Sequence, residues 1–337
     1  MMKIGVLGCG AVTEILHLPA LLERTDIRLS AAVDKNLDRA NLIAAKSSAR
    51  AFSSIEAALP EMDAAIVALP HGLHCEATVK LLKAGKHVLV EKPMAPTSRE
   101  CDEMIAASEA SGAGLTIGQM RRFCPALVAA KSFLERGLLG PIQSFRILEG
   151  GVFAWPVASD YLLRKETAGG GVLVDTGAHT FDMILWLFGD VESLDYRDDA
   201  HGGVEADCEV RLTMAGGAKG YVELSRTRNL PADLIIEGEH GKMVVNYAKN
   251  QLNLELEGKS LDAFKMETKD AQGREIGVWG LMIRRQLENW VESISGKSSA
   301  LVPGSEGRRV VTFFEECYRV RRPLEFPWVQ SLSSTAQ

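Results

Sequence analysis

A carboxylate and an imidazole lie one helical turn apart between residues 169 and 189. Asp175 and His179 follow three consecutive glycines, and the apolar residues around them recur at helical spacing until Gly189. Residues four apart project from the same face of a helix, so the two side chains are expected to be neighbours. This pair could transfer protons near neutral pH. The alternative is a capped helix with a solvated polar stripe.

The residues on either side of this pair extend the prediction. The three glycines at 169–171 are interpreted as a flexible hinge that lets the chain turn into the helix. Asp182, three residues after His179, is predicted to approach the imidazole from the next turn.

The N-terminal sequence has the pattern of a dinucleotide-binding turn. An apolar strand at 4–7 is followed by Gly-Cys-Gly-Ala-Val-Thr and then by an apolar helical pattern. The first glycine permits the tight turn, and the second allows backbone N–H groups to approach a pyrophosphate at the helix N-terminus. Thr13 replaces the usual third glycine. The predicted cofactor contacts in this turn are Gly8, Gly10, Ala11 and Val12.

Other apolar strands end in residues that could reach the same cofactor. Asp34 follows the strand at 29–33, where its carboxylate could accept hydrogen bonds from a ribose diol or cap the next helix. Ligands of parallel sheets bind beyond the carboxyl ends of the strands. The next two strand ends therefore add the candidates Pro70, Glu91 and Lys92. His74, at the start of the following helix, could contact the ribose or be structural.

The predicted cofactor is NAD. A carboxylate at position 34 would repel the 2′-phosphate of NADP, whereas the neighbouring Lys35 keeps NADP open. No histidine or cysteine cluster has zinc-ligand spacing, so no catalytic metal is expected.

The second half of the chain changes to a strand-rich pattern. Strands are predicted at 142–148, 204–214, 220–225, 233–239, 242–247 and 251–256, with turns at 216–217 and 239–241. Closing helices are predicted at 282–295 and 305–320. The expected fold is an α/β Rossmann dinucleotide-binding domain (1–122) followed by an α+β domain with an open, mostly antiparallel sheet (123–330).

The ordered set of motifs resembles the glucose–fructose oxidoreductase and inositol dehydrogenase family, often written Gfo/Idh/MocA. The matching blocks are Gly-Cys-Gly at 8–10, Ala-Gly-Lys-His-Val at 84–88 leading into Glu-Lys-Pro at 91–93, and the three glycines followed by Asp175, Gly177 and His179. The resemblance implies a nicotinamide-dependent oxidoreductase acting on a sugar, polyol or related hydroxyl. It also implies that Lys92, Asp175 and His179 occupy the family's catalytic positions.

Alcohol oxidation gives these three residues distinct expected roles. The reaction moves a hydride to the nicotinamide and a proton to a base, and His179, with an unperturbed pKa of about 6.5, is the predicted base. Asp175 would hold a substrate hydroxyl or stabilise the imidazolium. Lys92 would donate to the reacting oxygen and stabilise developing alkoxide charge.

Four further residues are candidates for binding a carbohydrate. Aromatic rings could stack on sugar faces and arginines could bind hydroxyls or a carboxylate, although each residue is as readily structural. The loop at 154–168, with no obvious regular pattern, is the expected specificity segment. The candidates are Arg122, Trp155, Tyr161 and Arg164.

Composition restricts the partners and the compartment. A net charge of −6 gives no electrostatic case for nucleic acid or an anionic membrane, and no apolar run is long enough for a membrane span. The first strand has no signal peptide before it and the six cysteines are scattered, so the expected location is the reducing cytoplasm.

A homodimer or homotetramer is expected through the antiparallel sheet. Apolar residues alternate on two of its strands, as expected either for an uncovered face or for the face that packs on the helices. They are Val210, Leu212, Met214, Val222 and Leu224.

Two other functions stay open from the sequence. One is an NAD-dependent glycoside hydrolase or eliminase that oxidises its substrate transiently, and the other is a non-catalytic nucleotide-binding protein. Net reduction of the cofactor by a free sugar would distinguish the dehydrogenase from both.

Overall fold

The N-terminal part of the molecule is a parallel sheet covered on both faces. The structure, a computed structural model, describes residues 1–156, 160–200, 203–265, 268–269 and 273–325. Six parallel strands form the first sheet within these ranges, and β1 to β6 in chain order are Met2–Leu7, Ile27–Val33, Arg50–Phe52, Ala64–Val67, His87–Val90 and Leu115–Ile117. Their spatial order is β3-β2-β1-β4-β5-β6, which confirms the predicted Rossmann sheet.

The helices of this part connect the strands and cover the sheet. A π-helical turn, Thr13–His17, precedes the first of them. In chain order, α1 to α5 are Leu18–Leu22, Leu37–Ser47, Ile55–Ala58, His74–Lys83 and Ser98–Ser111. Helix α5 begins with a reciprocal capping box between Thr97 and Glu100 and ends at Gly112, whose φ is +70°.

The second sheet is large and mostly antiparallel, as predicted. Its nine strands within the described ranges, β7 to β15, are Ile142–Gly150, Val191–Asp198, Asp207–Met214, Lys219–Ser225, Leu230–Gly238, Gly241–Asn246, Gln251–Leu256, Lys259–Lys265 and Arg322–Pro323. The spatial order is β14-β13-β12-β11-β7-β10-β9-β8-β15, and only the β7–β10 and β8–β15 pairs are parallel. The predicted hairpin turns join β9 to β10 and β11 to β12.

Three of the five remaining helices pack on this sheet, and the last two reach back to the first part of the chain. In chain order, α6 to α10 are Pro125–Glu135, Lys165–Ala168, Val172–Phe188, Gly277–Ile294 and Gly304–Arg319. Helix α8 contacts β9 and β10, whereas α9 contacts α1 and α10 contacts α5 and β6. The backbone N–H of Ile117 also donates to the carbonyl of Val302 (2.9 Å). The two C-terminal helices therefore connect the two sheets.

The alternating apolar residues of β9 and β10 belong to the covered face. Val210, Leu212, Met214, Val222 and Leu224 are buried inside a single copy of the chain. The expectation that they form an uncovered face is therefore wrong, because α8 packs on the sheet at this position.

The expected irregular loop at 154–168 contains short regular elements. Residues 157–159 lie outside the described part, but Asp160–Leu163 is a 3₁₀ turn and Lys165–Ala168 forms α7. No helix in the described ranges combines the length and the apolar character needed to cross a bilayer.

Candidate active site

The turn after β1 fits a dinucleotide. Gly8 has a φ of +93°, and a Cβ there would lie 2.3 Å from the carbonyl oxygen of Ala68, so only glycine fits. A Cβ at Gly10 would meet no heavy atom within 4 Å, which leaves the backbone open to a pyrophosphate. The Thr13 hydroxyl donates to the Gly8 carbonyl (2.5 Å), so threonine closes the turn where the third glycine is missing.

Asp34 lies directly against this turn. One carboxylate oxygen accepts from the backbone N–H of Cys9 (2.9 Å) and the other from that of Asn36 (2.9 Å). The cap of α2 is instead the Asn36 side chain, which accepts from the backbone of Asp38 and Arg39. The alternative role of Asp34 as helix cap is therefore wrong, and its contact with a ribose stays a prediction.

A cavity of about 440 Å³ opens at the carboxyl ends of β4 and β5. The first 122 residues contribute the end of the glycine turn and the Glu-Lys pair, and the residues after them contribute α8 and the ends of β7 and β10. Its polar or charged lining includes Glu91, Lys92, Glu149, Asp175, His179 and Arg226. Open α/β sheets bind their ligands at this edge.

Three charged groups from separate elements meet on the cavity wall. The Lys92 ammonium donates to the Asp175 carboxylate (2.7 Å) and to the backbone carbonyl of the same residue (3.0 Å). The Arg226 guanidinium donates to the other carboxylate oxygen (2.8 Å). Both oxygens of Asp175 are thus held by cations. Lys92 therefore contacts α8, and Arg226, which the sequence analysis did not single out, contacts the same carboxylate.

The electrostatics separate the roles of Asp175 and His179. Burial disfavours the ionised form of Asp175, but Lys92 and Arg226 outweigh it and hold the pKa of this carboxyl well below its usual range. Burial, followed by the charges of Lys92 and Arg121, lowers the pKa of His179 well below its ordinary value. The pKa of His179 thus lies well below the unperturbed value of about 6.5, and the imidazole is neutral at pH 7. Its Nδ1 is buried and has no hydrogen-bond partner among the described residues.

Glu91 is held by the π-helical turn. Its carboxylate lies 2.7 Å from Nε2 of His17, and its second oxygen accepts from the backbone N–H of Lys92 (3.2 Å). Burial opposes ionisation of Glu91, but the contact with His17 outweighs it and the pKa of Glu91 is lowered. This contact fixes the strand end from which Lys92 projects.

A second ion pair forms the floor of the cavity. Arg121 and Glu149 form a bidentate ion pair, and the Glu149 carboxylate also accepts from Thr180 (2.7 Å) and Tyr247 (2.8 Å). The Arg121 guanidinium lies 4.5 Å from the centre of the Tyr247 ring. The network places the charge of Arg121 close to His179 and contributes to its lowered pKa.

Two of the four predicted carbohydrate contacts line the cavity. Tyr161 packs edge-on against His71 at 5.7 Å between ring centres, and burial, with the charges of Asp175 and Glu91, raises its pKa to about 12. Trp155 stacks on Trp279 of α9 at 6.2 Å. All four rings line the cavity, so carbohydrate binding by Trp155 and Tyr161 stays a prediction.

Arg122 and Asp182 have a structural role. The Arg122 side chain is 3% exposed and is bound by Asp182 (2.7 Å) and Glu306 (2.6 Å). The predictions that Arg122 contacts substrate and that Asp182 approaches His179 are both wrong, because the two residues neutralise each other in the core. The neighbouring Arg121 lines the cavity instead.

His74 and Arg164 also differ from the prediction. His74 is fully buried, with one ring nitrogen 3.0 Å from the carbonyl of Pro93 and the other 2.8 Å from that of Leu69, so it cannot reach a ribose. Arg164 is 64% exposed and pairs with Asp160 outside the cavity lining. Pro70 precedes the 3₁₀ turn His71–Leu73, and its contact with the cofactor stays a prediction.

The parallel sheet and the glycine turn define a dinucleotide-binding fold, and comparison with known families agrees. The model of the oxidoreductase family with an NAD-binding Rossmann fold, GFO/IDH/MocA, matches residues 2–119, and the model of the GFO/IDH/MocA C-terminal domain matches residues 127–244. The chain belongs to the GFO/IDH/MocA family.

Curated relatives are similar to this chain in sequence over part of its length, and a solved structure is similar in fold over nearly all of it. A levoglucosan dehydrogenase of Pseudarthrobacter phenanthrenivorans is 29% identical over 56% of this chain, which spans 57% of that enzyme. The inositol 2-dehydrogenase of Rhizobium meliloti is 28% identical over 78% of this chain and 80% of that enzyme. A levoglucosan dehydrogenase solved with NADH is 21% identical with a TM-score of 0.82, covering 95% of this chain and 96% of that one, and supports the fold.

Proposed function

We propose that this protein oxidises a secondary hydroxyl of a sugar or cyclic polyol with NAD, or catalyses the reverse reduction. The observation that carries the proposal is the cluster of Lys92, Asp175 and Arg226 beside a neutral His179, in the cavity next to the glycine turn. The named dehydrogenase relatives support it. They favour it over the hydrolase, the eliminase and the non-catalytic nucleotide-binding protein.

The chain's own residues supply the proton transfer. Lys92, held in place by its ion pair with Asp175, donates to the reacting oxygen and stabilises the negative charge that develops there. His179 accepts the hydroxyl proton on a neutral ring nitrogen while the carbonyl forms. Arg226 fixes Asp175 and thereby the position of the ammonium. NAD, when bound over Gly8 to Val12 and beside Asp34, supplies the hydride acceptor.

The charges of the cavity favour an uncharged substrate. Besides its histidines, the lining contains three acidic and three basic side chains. Arg121 contacts Glu149, while Lys92 and Arg226 both contact Asp175. Because acidic and basic side chains are equal in number, the cavity offers an anionic sugar no net electrostatic attraction. A neutral carbohydrate or inositol fits this balance.

A substrate panel tests the proposed function. Neutral sugars, anhydrosugars and inositols are incubated with the protein and NAD, and the absorbance of the reduced cofactor is followed. At least one neutral compound is expected to give steady cofactor reduction, while the corresponding sugar acids are poor substrates. Reduction by acids alone, or none with any compound, would contradict the proposal.

The position of Asp34 predicts preference for NAD over NADP. A carboxylate beside the ribose repels a 2′-phosphate, and one pair of unit charges at 4 Å contributes about 1 kcal/mol in water and more where water is excluded, so NAD should bind at least about fivefold more tightly. Asp34→Asn keeps the shape and should reduce the preference. Dissociation constants measured by fluorescence titration test this, and tighter binding of NADP by the wild type would defeat the assignment.

The proposed association of copies of this chain uses the outer face of the second sheet. No described helix packs on this face, which carries a depression of about 860 Å³ lined in part by Arg211, Tyr221 and Ile235. We expect a homodimer or homotetramer by light scattering at micromolar concentration, weakened by Tyr221→Glu. A single-subunit mass would contradict it.

All six cysteines are free and buried, which supports the proposed cytoplasmic location.

A further inference from the structure

The first turn of α8 is capped by a residue far away in the chain. The residue before the helix is Gly171, which has no side chain to cap it. Instead, one carboxylate oxygen of Glu205 accepts from the backbone N–H groups of Gly171 (2.8 Å) and Leu173 (3.0 Å). The backbone carbonyl of Glu205 accepts from the backbone N–H of Val172 (2.9 Å). One residue thus satisfies three consecutive donors.

Helix α10 holds this cap in place. The hydroxyl of Tyr318 donates to the same carboxylate oxygen of Glu205 (3.0 Å), and both residues are largely buried. A negative charge at a helix N-terminus is favourable because it faces the positive end of the helix dipole. The segment before β9 and the helix α10 are thereby tied to the start of α8.

Two of the three glycines serve this junction by being small, and the third by its positive φ. A Cβ at Gly170 would lie 1.9 Å from the Tyr318 hydroxyl, and a Cβ at Gly171 would lie 1.9 Å from the carbonyl oxygen of Glu205. Gly169 has a φ of +82° and ends α7. The prediction of a flexible hinge is therefore wrong, because the glycines permit close packing at a fixed junction.

The position of this first turn determines the geometry of the charged cluster. Lys92 donates both to the side chain and to the backbone carbonyl of Asp175, so it contacts the main chain of α8 directly. Asp175 donates its own N–H to Gly171 (3.1 Å), and His179 lies one turn further. A displacement of the capped turn would move both acceptors of Lys92.

We propose that Glu205 is a positioning residue, which holds the first turn of α8 so that Asp175 and His179 face Lys92. The effect on turnover rests on the proposed function, whereas the cap itself does not. The required feature is an acceptor oxygen at this place. Glu205→Gln retains that oxygen, and Glu205→Ala removes it.

The cap is tested without catalysis by hydrogen–deuterium exchange of the segment 171–176. In the wild type and in Glu205→Gln these amides are expected to exchange slowly, and in Glu205→Ala quickly. Equal exchange in the wild type and Glu205→Ala would overturn the proposal, even if no substrate had been found.

Turnover provides the second test. Glu205→Ala is expected to lower kcat by up to about 10²-fold, since a displacement of about 1 Å can have that effect, with the dissociation constant of NADH unchanged. Glu205→Gln should restore most of the rate. Met214→Ala is the control for lost stability, because Met214 is buried at the opposite end of β9. An equal loss of kcat in Met214→Ala, or in Glu205→Gln, would overturn the positioning role. Absence of turnover in the wild type would refute the proposed function alone.

Discussion

Replacement of His179 by alanine is expected to lower kcat by roughly 10²–10⁴-fold, the usual contribution of a positioned acid–base group. Cofactor binding should be unchanged, because α8 lies outside the dinucleotide turn. His179→Gln is the matched control, since it keeps a polar side chain but cannot titrate. Comparable losses in both variants, with unchanged dissociation constants for NADH, would agree with a base at this position.

The pH profile of the wild type follows from the lowered pKa of His179. Because the neutral imidazole is the active form, the rate should rise with pH through this pKa and then level off. The rise of the rate with pH should therefore lie below pH 6.5. Turnover near neutrality should not depend on the ionisation of His179. A limb at pH 6.5 or above that persists in His179→Ala would transfer the role of base to another group, such as Lys92.

Replacement of Lys92 by alanine is expected to lower kcat by roughly 10²–10³-fold, as when one donor to a developing oxyanion is removed. The loss follows because the reacting oxygen no longer has a cation beside it, while Asp175 remains paired with Arg226. Steady-state rates and NADH titrations measure it.

Two further variants separate charge from position in this cluster. Lys92→Arg keeps the charge but changes the donor geometry, so it should recover only part of the rate. Asp175→Asn leaves two buried cations with a neutral partner, and should lower both kcat and the melting temperature. Full activity in Lys92→Ala would remove the ammonium from the mechanism.

Strong local patterns made much of the fold predictable. The apolar runs of the parallel sheet, the glycine turn and the helical period of 172–188 each fix one element from its own residues. The strands Arg50–Phe52, Val191–Asp198 and Lys259–Lys265 were not predicted, because the first is short and the others are rich in charged residues.

The site was predictable where motif and topology coincide. Lys92 ends a strand and Asp175 begins a helix, so their contact follows once both are at one edge of the sheet. Arg226 follows β10 without any motif, and its contact with Asp175 depends on the pairing of distant strands. The difference between Arg121 and Arg122 likewise depends on which side chain a short 3₁₀ turn directs to the cavity.

The glycines at 169–171 show why composition alone misled. Glycine favours flexibility when it is free of neighbours and close packing when a neighbour occupies the place of its Cβ. The neighbours here, Glu205 and Tyr318, are 34 or more residues away in sequence. No local pattern indicates that contact.

The stoichiometry of cofactor reduction tests the central claim most directly. A neutral substrate from the panel is incubated with the wild-type protein and excess NAD, and the reduced cofactor and the carbonyl product are counted together, with His179→Ala alongside. We expect one reduced cofactor for each carbonyl product in the wild type, and the same ratio at a strongly reduced rate in the variant. Product formation without accumulation of reduced cofactor, or an equal rate in His179→Ala, would contradict it.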